Sequence, residues 1–423
     1  MDGIPIKYFR IGTKVPFVTT ASVKPAPQVT DRSFHLQKKE YGVNSIRKAL
    51  SKGVLTERDA ELIHSFVAEL KVTNGISLGR ANKITFTLVS WRHFIGQFDT
   101  NRIIDLYEGI EALKAGENRE KPYKQNTIRD FLSFLKRFYS WLIDNGISDI
   151  PMEKVQAIKV PRRNSMTKTA EQILTESEIL SLLKACQNSR DRALIAVLYE
   201  GGFRSEEIGQ LTWGQVKFDE WGTVINVNAK TERPRHVRLI MATRYLIEWK
   251  NDYPCTISNE GLVFLTSHHN PLQWATVASQ LRKIAARAGL TKTITPHLFR
   301  HSRVTHLLQK GYSETTIKKM MWGNMNTAML ETYVHLTDAD IDNEVLSREG
   351  IRPIHENKTS EMAAQQCNSC HAINPPTHNF CSLCGKPLNK DTEQSMKRIK
   401  DEIENSPEYR AIMDMVKEKI TLI

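Results

Sequence analysis

The sequence predicts a multidomain, mainly α protein: a small helical domain, a larger mixed α+β block, a short cysteine-bearing module and a helical tail. Three observations predict it. The 423 residues exceed one ordinary domain. Apolar residues recur at helical spacing over most of the chain, broken once by a pair of alternating runs that read as a hairpin. Four of the six cysteines fall between 367 and 384, a clustering that in a reducing compartment points to metal, not disulfides.

The balance of 59 Lys+Arg against 47 Asp+Glu leaves a formal charge of +12, which suits a polyanionic partner such as nucleic acid or an acidic membrane surface. No apolar run approaches membrane-spanning length, ALIAVLY (193–199) being the densest. MDGIPIKYFR at the N-terminus lacks a signal-peptide hydrophobic segment. A soluble, cytoplasmic protein with no membrane partner is the expectation.

Residues 1–56 are basic and poorly periodic, include VKPAPQV, and read as an arm or loosely packed lead-in. From Thr56 the pattern is helical. TERD resembles a capping box, and Ile63, Phe66, Val67 and Leu70 follow before Asn74-Gly75. Ile84, Leu88, Trp91 and Ile95 make a second stripe, and IIDLYEGIEALKAG another helix. Ile128, Leu132, Leu135, Tyr139 and Leu142 lead to Asn145-Gly146. Residues 57–145 therefore form a helical domain, with Arg80, Lys83, Arg92, Lys136 and Arg137 left for its surface. A basic linker, 146–172, follows. The block 173–350 holds the strand pair TVINVN and RHVRLI around the turn AKTERP. A module at 364–388 and a tail at 389–423 complete the chain. No repeat of fixed period is present.

Within the large block, GGFRSEEIGQL (201–211) ends one helix at Gly201-Gly202 and begins another at Ser205. Arg204 occupies the turn between them, with Glu207 placed to buttress it. In HLFRHSRVTHLL (297–308), Thr295-Pro296 supplies an N-cap and a first-turn proline, so His297 and Arg300 share one face of the opening turn. Cations there oppose the helix dipole by roughly 0.3–1 kcal/mol each. The same free N–H groups with a guanidinium and an imidazole make an anion site. Local conflicts of this kind concentrate at functional sites. Downstream, KMMWGNMNTAMLETYVHLT (319–337) runs from a Gly323-Asn324 turn to Tyr333.

Together these segments resemble the tyrosine recombinase (phage integrase) family. Arg204 with a following glutamate, the hairpin Lys230, His297-Leu-Phe-Arg300 and Tyr333 nine residues after a glycine-linked polar position occur in the family's order. The resemblance covers about 170–340. It extends more loosely to 57–145, which is similar to a core-binding (DNA-binding) domain, and implies a mixed α+β catalytic domain at 173–350. It implies a site-specific recombinase or integrase acting on double-stranded DNA, as a homo-oligomer, usually a tetramer on paired sites. Tyr333 would form a 3′-phosphotyrosyl link, Arg204 and Arg300 would grip the phosphate, and His297 would donate to it or manage the tyrosine proton. Lys230 would protonate the departing 5′ oxygen, a role for which Arg233 and Arg235 compete but hold their protons too tightly. One ester replaces another, so neither ATP nor Mg2+ is required.

The chain departs from the family at Asn324, where histidine or sometimes tryptophan is usual; Trp322 lies two residues earlier. Asparagine donates a hydrogen bond to a phosphate oxygen but shuttles no proton. His301 reads as packing, and Arg303 and His306 as structural. Two other readings stand beside recombinase: a type IB topoisomerase-like enzyme, and a DNA-binding regulator on an inactive recombinase scaffold.

CNSCHAINPPTHNFCSLCG (367–385) spaces two C-x-x-C pairs ten residues apart. Two such knuckles offer Cys367, Cys370, Cys381 and Cys384 to one tetrahedral Zn2+, as in a short zinc ribbon. Four thiolates close the shell, so the ion is structural and not catalytic. His371 and His378 are alternative ligands, and Cys186 and Cys255 look solitary. In the tail, Tyr409, Ile412, Met413, Val416 and Ile420 form an amphipathic stripe after Ser406-Pro407.

Overall fold

A computed structural model describes residues 24–28, 34, 38–117, 120–164, 172–227, 234–327, 329–330, 345–346, 349–350 and 360–421, with side chains to 416. The helical domain comprises α1 (Lys39–Ser51), α2 (Glu57–Thr73), α3 (Leu78–Trp91), α4 (Ile103–Ala115), α5 (Gln125–Asp144) and the short α6 (Met152–Gln156). The stripes meet in one core in which Ile63, Phe66, Leu88, Trp91, Phe98, Leu135 and Phe138 are fully or almost fully buried. Thr56 and Asp59 form a reciprocal capping box at the start of α2, since each backbone N–H is taken by the other's side chain at 3.0–3.1 Å.

This domain is larger than the expected 57–145. Residues 39–51, expected within a loose arm, form α1 against α3 with Ala49 and Leu55 buried in the core. At the other end, Ile150, Val155 and Ile158 from the expected linker are buried in the same core. Arg92 also departs from its expected surface position. Its Nε donates to the buried Asp59 carboxylate at 2.9 Å. Asp59 in turn accepts from the backbone N–H of Phe98 at 2.9 Å, so it pins the loop after α3 onto α2.

In the second block, α7 (Glu176–Lys184) leads to α8 (Ser189–Gly201) and α9 (Ser205–Gly209). The strands β1 (Val216–Asp219), β2 (Gly222–Val227) and β3 (Arg235–Leu239) precede α10 (Ala242–Asn251), α11 (Trp274–Arg287), α12 (Pro296–Gln309) and α13 (Glu314–Trp322). The expected hairpin is part of an antiparallel three-stranded sheet, with Thr223 opposite Leu239 and Val227 opposite Arg235. At four residues, β1 is too short to register as a periodic run. The centre of the block is α8, buried along its last nine residues by α10, α12, α7 and β3. Burial on every side explains why ALIAVLY lacks a polar face.

A two-stranded ribbon, β4 (Gln365–Gln366) and β5 (Ile373–Asn374), precedes the tail helices α14 (Lys390–Asn405) and α15 (Pro407–Thr421). Among the described residues, no helix is long and apolar enough to cross a membrane.

Asp59→Ala strips the buried partner from both Arg92 and the Phe98 N–H. Loss of one member of a buried pair costs about 3–5 kcal/mol, so urea denaturation should show the helical-domain transition destabilised by that amount.

Candidate active site

The site is assembled at the C-terminal end of α13. The last carbonyls of a helix have no partner within it and lie at the negative end of its dipole. Two guanidiniums occupy this end. Arg300, from the first turn of α12, donates its NH2 group to the Met321 carbonyl at 2.7 Å and its NH1 group to the Gly202 carbonyl at 2.6 Å. Arg235, from the start of β3, donates to the carbonyls of Met320 at 3.0 Å and Met321 at 2.8 Å. The Trp322 ring covers Arg300 at 5.1 Å from its centroid.

Gly202 makes this approach possible. It closes α8 in the left-handed region at φ 56°, and a Cβ there would meet the Met321 sulfur at 2.7 Å. Only glycine satisfies both the backbone conformation and the contact. Two residues later Arg204 opens α9. Glu207 accepts the Arg204 backbone N–H at 2.6 Å and its NH1 group at 2.9 Å. The Glu207 oxygen that accepts the Arg204 backbone N–H, Oε2, also takes the NH2 group of Arg235. Glu207 therefore joins an arginine side chain that is 43% exposed, Arg204, to one that is 0% exposed, Arg235.

Burial lowers the pKa of Arg235; the Glu207 charge opposes this and the Arg204 charge adds to it. Its charge is retained because a guanidinium starts so far above neutrality. The sequence offers Arg235 only as a rival for the general acid, and its buried tether to α13 rules out that exposed role. The missed signal was an arginine at a strand start beside an apolar alternation, which reads locally as a solvated strand end.

Arg300 lies beneath the Trp322-Gly323-Asn324 turn at 2% exposure. His297 is exposed one turn earlier, its ring edge-on to that of the buried His301 with centroids 4.4 Å apart. Thr295 caps α12 by accepting the Leu298 N–H at 3.2 Å. The Asn324 side-chain oxygen accepts the Asn326 N–H at 3.1 Å, and its amide NH2 is the donor of that side chain. His306 pairs with the Tyr199 hydroxyl at 2.9 Å, and burial pushes its pKa down to about 4, which keeps it neutral. Arg303 lies over the Tyr199 ring at 5.5 Å.

Lys230, Arg233 and Tyr333 lie outside the described residues. Val227 and Arg235, which bracket the hairpin turn, are paired directly. Leu330 is buried with Val304, Leu307, Ile317 and Met321, against α12 and α13.

The cysteines form a second centre. Their four Sγ atoms lie within 4.8 Å of one another, with Cys367 and Cys384 3.6 Å apart and Cys370 and Cys381 3.5 Å apart. Four thiolates on one tetrahedral Zn2+ at about 2.3 Å would be separated by about 3.8 Å, so the cluster fits that ion. Backbone N–H groups of Ser369 and Leu383 point at Cys367 and Cys381, each at 3.4 Å, as thiolates require. His378 lies elsewhere, 3.4 Å from Glu248 of α10. His371 is in a left-handed turn at φ 57°. Neither histidine is part of the cluster.

Residues 172–340 match the model of the phage integrase family. Over 294 residues the chain is 27% identical to the tyrosine recombinase XerC of Xylella fastidiosa (strain 9a5c), an alignment covering 66% of this chain and 92% of that protein. The fold is similar to that of lambda integrase (residues 75–356) bound to DNA, with a TM-score of 0.51 and 14% identity over 65% of this chain and 98% of that one. It is also similar to the XerH site-specific recombinase bound to a palindromic difH substrate, with a TM-score of 0.50 and 16% identity over 77% and 99%.

Removing either partner of Glu207 separates their roles. Arg235→Ala leaves Glu207 without its buried counter-ion and should cost about 3–5 kcal/mol; Arg204→Ala, at a half-exposed pair, should cost under about 1 kcal/mol. Chemical denaturation of the two variants, followed through the catalytic-domain transition, checks the ordering.

Proposed function

We propose that this chain, which belongs to the tyrosine recombinase (phage integrase) family, is a site-specific DNA recombinase working through a covalent 3′-phosphotyrosyl intermediate. The observation that carries the proposal is the convergence of Arg204, Arg235 and Arg300 around a single carboxylate, Glu207, and the C-terminus of α13. Guanidiniums brought together in this way suit a phosphodiester whose charge grows at the attacked phosphorus.

In this reading Arg204 and Arg300 hold the non-bridging oxygens. Tyr333 follows Leu330 by three residues, and three residues span at most about 10 Å. The buried seat of Leu330 beside Met321 supports this reading. A phenol with a pKa near 10 needs such a positive field to act as a nucleophile. The Tyr333 oxygen bonds to phosphorus, the bond from phosphorus to the 5′ oxygen breaks, and Lys230 supplies the proton that the leaving oxygen takes up. Lys230 is likewise three residues, about 10 Å at most, from Val227. His297 donates to a phosphate oxygen or accepts the phenolic proton, and the Asn324 amide can donate a hydrogen bond. A 5′ hydroxyl of another strand then attacks the phosphotyrosyl phosphorus, frees Tyr333 and completes a new ester. The count of esters is unchanged, so no ATP is consumed, and the guanidiniums provide the charge neutralisation that Mg2+ provides elsewhere.

Double-stranded DNA is the partner, held between the helical and catalytic domains, with four copies of the chain acting on paired sites in the cytoplasm. Cys367, Cys370, Cys381 and Cys384 would hold one structural Zn2+, which fixes the ribbon and leaves no coordination position for chemistry.

Duplexes from the DNA flanking the gene, nicked near the cleavage point so that the small product diffuses away, should yield a denaturant-stable protein–DNA adduct. Tyr333→Phe should abolish it; an equal absence in both proteins would instead support a regulator on an inactive scaffold. Elemental analysis should find one Zn2+ per chain, lost in Cys381→Ser, while that variant still forms the tyrosyl adduct. Loss of the adduct from a folded Cys381→Ser protein would contradict a purely structural ion.

A further inference from the structure

The two halves of the cysteine module share one backbone pattern. The Cys367 N–H donates to the Ala372 carbonyl at 3.0 Å, and the Cys381 N–H donates to the Lys386 carbonyl at 2.8 Å. The Cys367 and Cys381 carbonyls accept the N–H groups of His371 and Gly385, both at 2.9 Å. Those two residues are both left-handed, at φ 57° and 72°. The correspondence ends three residues further on, where the first half has Asn374 and the second has Leu388.

Asn374 of β5 is 0% exposed, and both ends of its side-chain amide are bonded. Its oxygen accepts the Ser382 backbone N–H at 2.9 Å and the Ser382 hydroxyl at 3.0 Å. Its NH2 group donates to the Ala372 carbonyl at 2.9 Å and to Cys381 Sγ at 3.6 Å. A backbone N–H can only donate and a carbonyl can only accept, so these partners fix which end of the amide is which. The NH2 group therefore faces the sulfur. Ser382 is the second residue of the second knuckle, so a side chain from the first half fixes the turn of the other and touches its leading ligand. Leu388, at the matching position, has no polar group for either task. The Ile373 carbonyl next to Asn374 accepts Arg244 of α10 at 3.1 Å, which holds this strand to the catalytic domain.

We propose that Asn374 is a positioning residue of the metal centre: it holds the second knuckle in its ligating turn and donates a hydrogen bond to the Cys381 thiolate. Four thiolates outweigh the charge of one Zn2+, and an N–H aimed at a sulfur offsets part of that excess. Partners of this kind orient a ligand and strengthen the site without touching the ion. The inference rests on the reading of the four cysteines as a Zn2+ site.

Two readouts on the full chain test it: Zn2+ affinity measured against a chelator, and the sulfur-to-metal charge-transfer absorption of the chain loaded with Co2+. Asn374→Leu gives the first half the side chain of the second. It should weaken Zn2+ binding about 10–100-fold, the usual effect of losing such a partner. It should also shift the Co2+ band to longer wavelength, because a sulfur without its N–H donor gives up electron density more readily. Asn374→Asp keeps the size and the acceptor for Ser382 but removes the donor, so it should shift the band the same way, and it decides the matter where the leucine variant does not fold. Wild-type affinity with an unmoved band overturns the proposal. Weaker binding with an unmoved band shows packing alone and overturns the donation to Cys381. A wild-type chain that takes up neither ion overturns the zinc reading and the positioning role with it, so the two failures are distinguishable.

Discussion

The carbonyl of Met321 is the point on which the catalytic domain is organised. It receives Arg235 from the sheet and Arg300 from α12, residues 65 positions apart in the chain. Two buried guanidiniums side by side would be costly without compensation. The negative end of α13, its unpaired terminal carbonyls and the Glu207 carboxylate supply part of it. Arg204 shares the same carboxylate. In the proposed function this cluster of guanidiniums meets the incoming anion. Stability and anion recognition are thus set by the same contacts, and α9, α12, α13 and β3 cannot shift independently.

Segments from both outer parts of the chain, 24–34 and 360–378, are fastened to this catalytic domain at described residues. Residues 24–28 and Phe34 cover one side of it. The ribbon docks on α10: Arg244 donates to the Ile373 carbonyl at 3.1 Å, Tyr245 shares a hydrogen bond with Thr377, and His378 meets Glu248. Met362 is buried in the catalytic core, and Ser360 donates to Glu176 at 2.7 Å. A cysteine cluster so attached behaves as an extension of α10, in contrast to a module swinging on a linker. The helical domain, by contrast, has its own core.

Much of the fold was legible in the sequence because its helices carry strong local signals. Thr56 and Thr295 announce helix starts, and Gly202 and Gly323 announce ends, through capping chemistry confined to a few residues. Residues 39–51 were missed because basic and polar residues dilute the stripe, and the helix is held by α3 more than by its own periodicity. The site was legible where it is local, in the Arg204–Glu207 turn and in the shared face of His297 and Arg300. Arg235 was misread because its partner carbonyls lie 85 and 86 residues downstream, and no local pattern encodes that. Phe34 falls within the expected arm, and its seat at Gly209 is made by tertiary packing that no local pattern encodes.

The central claim is electrostatic: paired guanidiniums act by neutralising the phosphate. The most direct measurement compares Arg204→Ala with the wild type on two DNA substrates, one with a normal scissile phosphate and one with an uncharged methylphosphonate at that position. Loss of the arginine should slow cleavage severely on the charged substrate and far less on the neutral one. An equal loss on both would mean that Arg204 serves the architecture and not the charge, and would contradict the account.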